Sequence, residues 1–177
     1  MFYQNLPAGV IVSNLTTHLD ERGQFTEIYR QNWPSKPDLI QWNFLKTNEG
    51  VLRGVHVHLK HYDYVTVLDG QVAFGLKDLR SHSPTENLAV IIEMTDTTPQ
   101  TLLIPPGVAH GFLMRKTSSI VYGVSHYWDK DDELGCRFDD PELGFDWEKL
   151  QPNISVRDAN LPPLSQLRPL IPAYQPL

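Results

Sequence analysis

The 177-residue chain is nearly without cysteine. Cys136 stands alone, which excludes an internal disulfide and fits a reducing compartment. Positive charge is also scarce. Fifteen Lys and Arg against 21 Asp and Glu leave a formal net charge of −6. That balance argues against a general binder of nucleic acid or of anionic membranes, but leaves room for one anionic small molecule held by a few local cations. No apolar run is long enough to cross a bilayer. The first residues, MFYQNLPAGVIVSNL, lack both the basic region and the apolar stretch of a signal peptide. The expected location is the cytoplasm. Also missing are an internal repeat, a low-complexity tract and a dividing linker. The chain therefore reads as one domain over residues 1–177, long enough to bury on the order of 70% of its unfolded surface.

What the chain does have is short runs rich in Val, Ile, Phe and Tyr. VIVSNL, GQFTEIYR, DLIQWNFLKT, HYDYVTVLDG, QVAFGLKDLR, LAVIIEM, QTLLIPPG, HGFLM and SIVYGVSHYW read as strands, several with period-2 alternation. Arg22-Gly23, Asp69-Gly70 and Pro106-Gly107 punctuate them. Asp69-Gly70, between YVTVL and QVAFGL, predicts a hairpin. No long helical period precedes residue 140, so the fold class is all-β, a barrel or jelly roll. Pro and polar residues dominate after Trp147. The C-terminal segment is therefore expected to be irregular and to wrap over the barrel or a partner.

Histidines mark the chemistry. His56 and His58 point to one face if their segment is a strand, His61 follows, and His110 comes after the turn Pro105-Pro106-Gly107. The spacing His56-x-His58-x4-Asp63-x6-Gly70, then Pro105-x-Gly107-x2-His110, resembles the two motifs of the cupin superfamily. The resemblance implies a cupin jelly-roll β-barrel, a double-stranded β-helix. Three readings of these histidines stay open. They are half-buried polar residues; or His56, His58, Asp63 and His110 bind a divalent metal; or no metal is present and one imidazole is a general base.

Longer motifs bear on the choice. Arg22-Gly23-x-Phe25-x-Glu27, Gln41-x-Asn43, Leu52-Arg53-Gly54-Val55-His56, Pro105-x-Gly107-x-Ala109-His110-Gly111-Phe112 and Asp140-Pro141-x-Leu143-Gly144-x-Asp146-Trp147 occur in order. From about Asp20 to Asp158 the chain resembles the dTDP-4-dehydrorhamnose 3,5-epimerases. That resemblance implies an isomerase that inverts C3, C5 or both on a nucleotide-linked 4-keto-6-deoxyhexose, without metal or cofactor. The chemical problem is a proton α to a ketone, acidified because the carbanion delocalises as an enolate. It calls for a base on one face, an acid on the other and donors for the enolate oxygen.

By resemblance His56 is the base, Asp158 its partner and Tyr122 the acid. Arg22, Phe25, Glu27, Gln41, Asn43, Arg53, His110, Tyr127, Trp128, Glu133 and Arg157 would contact the nucleotide sugar. The resemblance also implies a homodimer with an exchanged N-terminal strand, for which Met1 to Leu6 is apolar enough. The Arg22 to Glu27 segment would then complete the neighbour's nucleotide site. Three positions depart from the family. Asp63 stands where many members have Lys, His58 where Gln is commoner, and Arg157 where Lys is commoner. An anion at 63 would oppose a developing enolate. Besides epimerisation, the sequence admits a metal-dependent cupin enzyme and a non-catalytic sugar-binding cupin.

Overall fold

The computed structural model describes residues 5–33, 37–147 and 151–176. Twelve strands run in chain order: β1 Ile11–Asn14, β2 Thr17–Asp20, β3 Gly23–Thr26, β4 Gln41–Thr47, β5 Leu52–Val57, β6 Asp63–Asp69, β7 Gln71–Asp78, β8 Ala89–Thr95, β9 Gln100–Ile104, β10 Val108–Met114, β11 Ser118–Val124 and β12 Leu134–Gly135. They form two five-stranded sheets, ordered β1-β9-β6-β11-β4 and β12-β5-β10-β7-β8, and a separate ribbon of β2 and β3. All the pairings of these strands are antiparallel. This is the expected all-β jelly roll. Three strands lie outside the runs read from the sequence: THLD of β2 and the two residues of β12 offer no apolar alternation, and β5 is a strand in that reading only by assumption.

Facing apolar side chains join the sheets. Val65, Val67, Phe74, Leu76, Leu102, Ile104, Met114 and Ile120 form one buried cluster between them. Each such side chain contributes about 1.5–3 kcal/mol relative to exposure. Alternation on β4 turns Gln41, Asn43 and Leu45 inward to line a cavity, while Trp42 and Phe44 stay exposed.

The expected hairpin at Asp69-Gly70 does not form. β6 pairs with β9 and β11, and β7 pairs with β8 and β10, so the chain changes sheets at Gly70. One residue is too few for a two-residue hairpin turn. Gly70 has φ +93°, and a Cβ there would come within 2.5 Å of the Thr117 carbonyl. The glycine thus answers a backbone crossing that a local reading mistakes for a turn.

The C-terminal segment wraps as expected. Among its described residues the helical structure is limited to single turns, chiefly α1 Val156–Ala159 and α2 Leu164–Leu167. Leu164, Leu167 and Ile171 join Phe145, Trp147, Ala73 and Ala109 in a second buried cluster on the other sheet. Gly75 and Gly111 make room for the Trp147 ring, which a Cβ at either would meet at 2.7 and 3.1 Å. The backbone also pins the segment beside β5. Leu52 N–H donates to the Asn153 carbonyl and Asn153 N–H to the Gly50 carbonyl, each at 2.9 Å.

A buried carboxylate organises the loop after β7, Asp78 to Thr85. The fully buried Asp78 carboxylate accepts from Arg80 Nε at 2.8 Å, Ser83 Oγ at 2.6 Å and Thr85 Oγ1 at 2.7 Å. Arg80 in turn donates to the Ala8 carbonyl at 2.6 Å, tying the N-terminal strand's approach to the barrel. A buried charge needs such a full set of partners. Burial pushes the Asp78 carboxyl up, but these bonds outweigh it and hold it below the usual carboxylate range. Of the segment expected to dock on a partner, only Asn5 and Leu6 lie within the described residues, and Leu6 packs at the edge of the inter-sheet core.

Candidate active site

A cavity of about 450 Å³ opens between the two sheets. β5 contributes Arg53 and His56, β10 His110, β4 Gln41 and Asn43, and β11 Tyr122. Trp128, Glu133, Arg157 and Asp158 come from later loops and turns. Antiparallel register makes His56 and His110 cross-strand neighbours, just before a bulge between His110 and Phe112. Residues opposed in this way share a face, so both imidazoles reach the cavity.

His56 Nε2 lies 2.9 Å from Asp158 Oδ1. An ionised carboxylate can only accept, so Nε2 carries the ring hydrogen and Nδ1 is the basic nitrogen. Local sequence aims Asp158. Ser155 caps the turn of α1, its Oγ accepting from Asp158 N–H at 3.0 Å. Asp158 Oδ2 also accepts from Gly54 N–H at 3.3 Å. Burial pushes the Asp158 carboxyl up, but hydrogen bonds from His56, Gly54 and Ser155 outweigh it and hold it below its ordinary range. It is therefore ionised at neutral pH and suited to steady an imidazolium.

Tyr122 belongs to the facing sheet, in register between Asn43 of β4 and Val65 of β6. Burial, then the nearby Asp63 and Glu133, raise its phenol above the ordinary value, with Arg53 acting the other way. The phenol is thus protonated at neutral pH, as a proton donor requires.

A second group of titratable residues lines the same cavity. His58, His61 and Asp63 are buried around His110. The four-ligand cupin set is not assembled. His58, Asp63 and His110 bring donor atoms within 4.8 Å of one another, but His56 is outside that group and turned to Asp158. His61 approaches in its place, with Nε2 3.8 Å from Asp63 Oδ2. The expectation for Asp63 also changes. Burial, with Glu133 and Asp132 nearby, raises its carboxyl to about 8. Without a bound cation, this shift favours the neutral acid over the anion anticipated beside the enolate. Burial likewise drives His58 down to about 3, helped by the neighbouring His61.

Four sequence-predicted contacts lie elsewhere on the chain. Arg22 sits between β2 and β3, exposed and paired with Asp20. Phe25 is 63% exposed on β3. Glu27 pairs with Arg30 and borders a separate cleft with His18 and Trp33. Tyr127 is 70% exposed and does not line the cavity, unlike its neighbour Trp128. Arg53 donates to Thr47 Oγ1 at 3.3 Å, and Arg157 pairs with Glu133 at 3.0 Å. Sequence reasoning missed Ser155 and Asp132. The Ser155-x-x-Asp158 spacing was a legible cap signal. Nothing local marks Asp132, which reaches the histidines across 74 residues of chain.

Comparisons with known proteins agree with this geometry. Residues 6–166 match the family model described as dTDP-4-dehydrorhamnose 3,5-epimerase. The spore coat polysaccharide biosynthesis protein SpsL of Bacillus subtilis is 34% identical over 143 residues, covering 78% of this chain and 95% of that protein. The dTDP-6-deoxy-D-glucose-3,5-epimerase RmlC of Legionella pneumophila, solved with dTDP-4-keto-L-rhamnose, superposes with a TM-score of 0.87 at 28% identity over 95% of each chain. ChmJ of Streptomyces bikiniensis, a 3'-monoepimerase solved with dTDP-quinovose, gives a TM-score of 0.87 at 25% identity, covering 98% of this chain and 94% of that one.

Proposed function

Since the chain belongs to the dTDP-4-dehydrorhamnose 3,5-epimerase family, we propose that it inverts C3, C5 or both of a nucleoside-diphosphate-linked 4-keto-6-deoxyhexose. The observation that carries this reading is the His56–Asp158 pair on one side of a hexose-sized cavity with the Tyr122 phenol on the facing sheet. A relative solved with a 4-keto sugar nucleotide supports the substrate class.

In this reading His56 Nδ1 removes the proton α to the ketone. The electron pair moves onto the carbonyl oxygen as an enolate, and Asp158 stabilises the imidazolium so formed. Tyr122 then delivers its proton to the opposite face of the same carbon, which inverts it. Arg53 and Arg157, exposed at the cavity rim, suit the diphosphate, because a guanidinium fork matches phosphate oxygens. Gln41, Asn43, Trp128 and Glu133 are assigned to the rest of the substrate; His110 lines the same cavity with Nδ1 toward the Val108 carbonyl and Nε2 toward Asp63.

The experiment is solvent exchange. In deuterated water the enzyme should place label at C3 or C5 of a 4-keto nucleotide sugar, and a chain that incorporates none is not an epimerase. Tyr122→Phe separates the two proton transfers. Inversion should fall by about 10²–10⁴, the range for one positioned acid, while label uptake stays within about tenfold. Equal losses in both would remove Tyr122 as the acid.

We also assign a homodimer. Arg22, Phe25 and Glu27 lie away from their own chain's cavity on an exposed ribbon, where a partner's site would use them. Sedimentation should give the mass of two chains, and the mass of one would exclude the shared site. The remaining assignments are one domain over residues 1–177, supported by the packing of Leu164 and Ile171 onto the barrel, and a cytoplasmic location. The unpaired, buried Cys136 suits a reducing compartment; among the described residues no helix is long and apolar enough to cross a membrane.

A further inference from the structure

The proton transfers leave four buried side chains of the cavity wall unused. His58, His61 and His110 each turn Nε2 toward a single atom, Asp63 Oδ2, at 3.7, 3.8 and 3.6 Å. On every ring the other nitrogen is already committed. Nδ1 of His58 faces the Asp132 carbonyl at 3.1 Å, and Nδ1 of His110 faces the Val108 carbonyl at 3.2 Å. Nδ1 of His61 faces the Asp132 carboxylate at 3.2 Å. A carbonyl oxygen has no hydrogen to give, so His58 and His110 carry theirs on Nδ1. Asp132 already accepts from Leu59 N–H at 2.8 Å and Lys60 N–H at 3.3 Å, and so is the acceptor for His61 as well.

In neutral rings this arrangement leaves a lone pair on each Nε2. Three lone pairs then converge on one carboxyl oxygen. A proton on Asp63 would not join them, because separations of 3.6–3.8 Å exceed hydrogen-bond reach. A cation would. Donors bound at 2.0–2.1 Å around a tetrahedral ion stand about 3.4 Å apart, a few tenths closer than each Nε2 stands to Asp63 Oδ2 here. The Nδ1 bonds are also the kind that orient ligating imidazoles from the outer shell.

We propose that His58, Asp63 and His110 form a binding site for a first-row divalent cation in the wall of the cavity that holds His56 and Tyr122. Their donor atoms lie within 4.8 Å of one another, and two imidazoles with one carboxylate suit Zn, Fe, Co or Ni. His61 stands outside this group, with Nε2 3.8 Å from Asp63 Oδ2. The alternative group of His58, His61 and Asp132 is poorer, since Asp132 is occupied by Leu59, Lys60 and His61. His56 is not a ligand, because its Nε2 is bound to Asp158. Among the described lining residues the permanent cations are Arg53 and Arg157, and Arg157 is paired with Glu133. An ion here would therefore add positive charge close to the reacting ketone. That benefit rests on the epimerase reading; the site itself does not.

Titration of the chelator-stripped full chain with Co²⁺ tests the site. We expect one Co²⁺ per chain by elemental analysis, visible d–d absorption, and displacement by Zn²⁺. His58→Gln and Asp63→Asn should each weaken Co²⁺ binding by roughly tenfold or more, with circular dichroism confirming that each variant folds. His56→Asn should leave binding unaltered. Substoichiometric Co²⁺ at saturation, or binding that survives both ligand substitutions, overturns the site. Solvent exchange is read separately. Label uptake in a chain that takes up no Co²⁺ removes the cation and keeps the epimerase, whereas stoichiometric Co²⁺ without label uptake keeps the site and removes the epimerase.

Discussion

His56→Asn should lower both label uptake and inversion by about 10⁴, the upper end of what one positioned base supplies and roughly 5.4 kcal/mol of barrier. The expectation comes from the absence of a substitute. Among the described lining residues burial lowers the pKa of His58, His61 and His110, and each holds a fixed tautomer through Nδ1, on a backbone carbonyl for His58 and His110 and on the Asp132 carboxylate for His61. Their Nε2 atoms face Asp63, on the far side of each ring from those acceptors. The groups assigned to the diphosphate are untouched, so nucleotide binding should stay within about threefold of the parent, because uniform binding and transition-state stabilisation are separable. Isothermal titration with dTDP alongside the exchange assay gives both numbers. A variant that still exchanges protons within tenfold of the parent would mean that another group is the base.

Asp158→Asn should cost nearly as much, about 10³–10⁴ in kcat with little change in KM, the scale seen when a histidine's orienting carboxylate becomes an amide. The tautomer is the reason. Gly54 N–H points at Asp158 Oδ2 and needs an acceptor. In asparagine only the amide oxygen can serve, which leaves the NH₂ group facing His56 Nε2. An NH₂ donor forces Nε2 to accept and moves the ring hydrogen to Nδ1, the atom that must be bare to take a proton. Nitrogen-15 shifts of the imidazole would report this directly. The parent should show a protonated Nε2 and the variant a protonated Nδ1, and an unaltered tautomer in a slow variant would put the effect on imidazolium stabilisation instead.

Much of this was legible along the chain. Alternation in DLIQWNFLKT and the apolar runs around Phe74 and Leu102 marked strands that form, because a strand's two faces are written at period 2 in its own residues. Composition after Trp147 marked a segment that covers the barrel, and Leu164 and Ile171 bear that out. Asp69-Gly70 misled, because a glycine that allows the chain to change sheets carries the same local signal as one in a hairpin turn. β2 escaped for want of apolar residues to alternate. The histidine spacing correctly gathered His58, Asp63 and His110, but it enrolled His56, which a carboxylate 102 residues further on draws away.

Residue types at fixed spacings, read alone, determined an all-β barrel or jelly roll and the strands that carry His110 and Tyr122, while the proton chemistry of His56 and Tyr122 came with the family resemblance. Strand periodicity and turn chemistry are local, so they survive in one dimension. Only the tertiary structure decided which nitrogen of His56 is basic, that His61 joins the second cluster, and that burial raises the Asp63 carboxyl above its ordinary range. Each of those depends on burial and on distances between residues far apart in the chain, and a charge's state follows from what surrounds it more than from its neighbours in sequence.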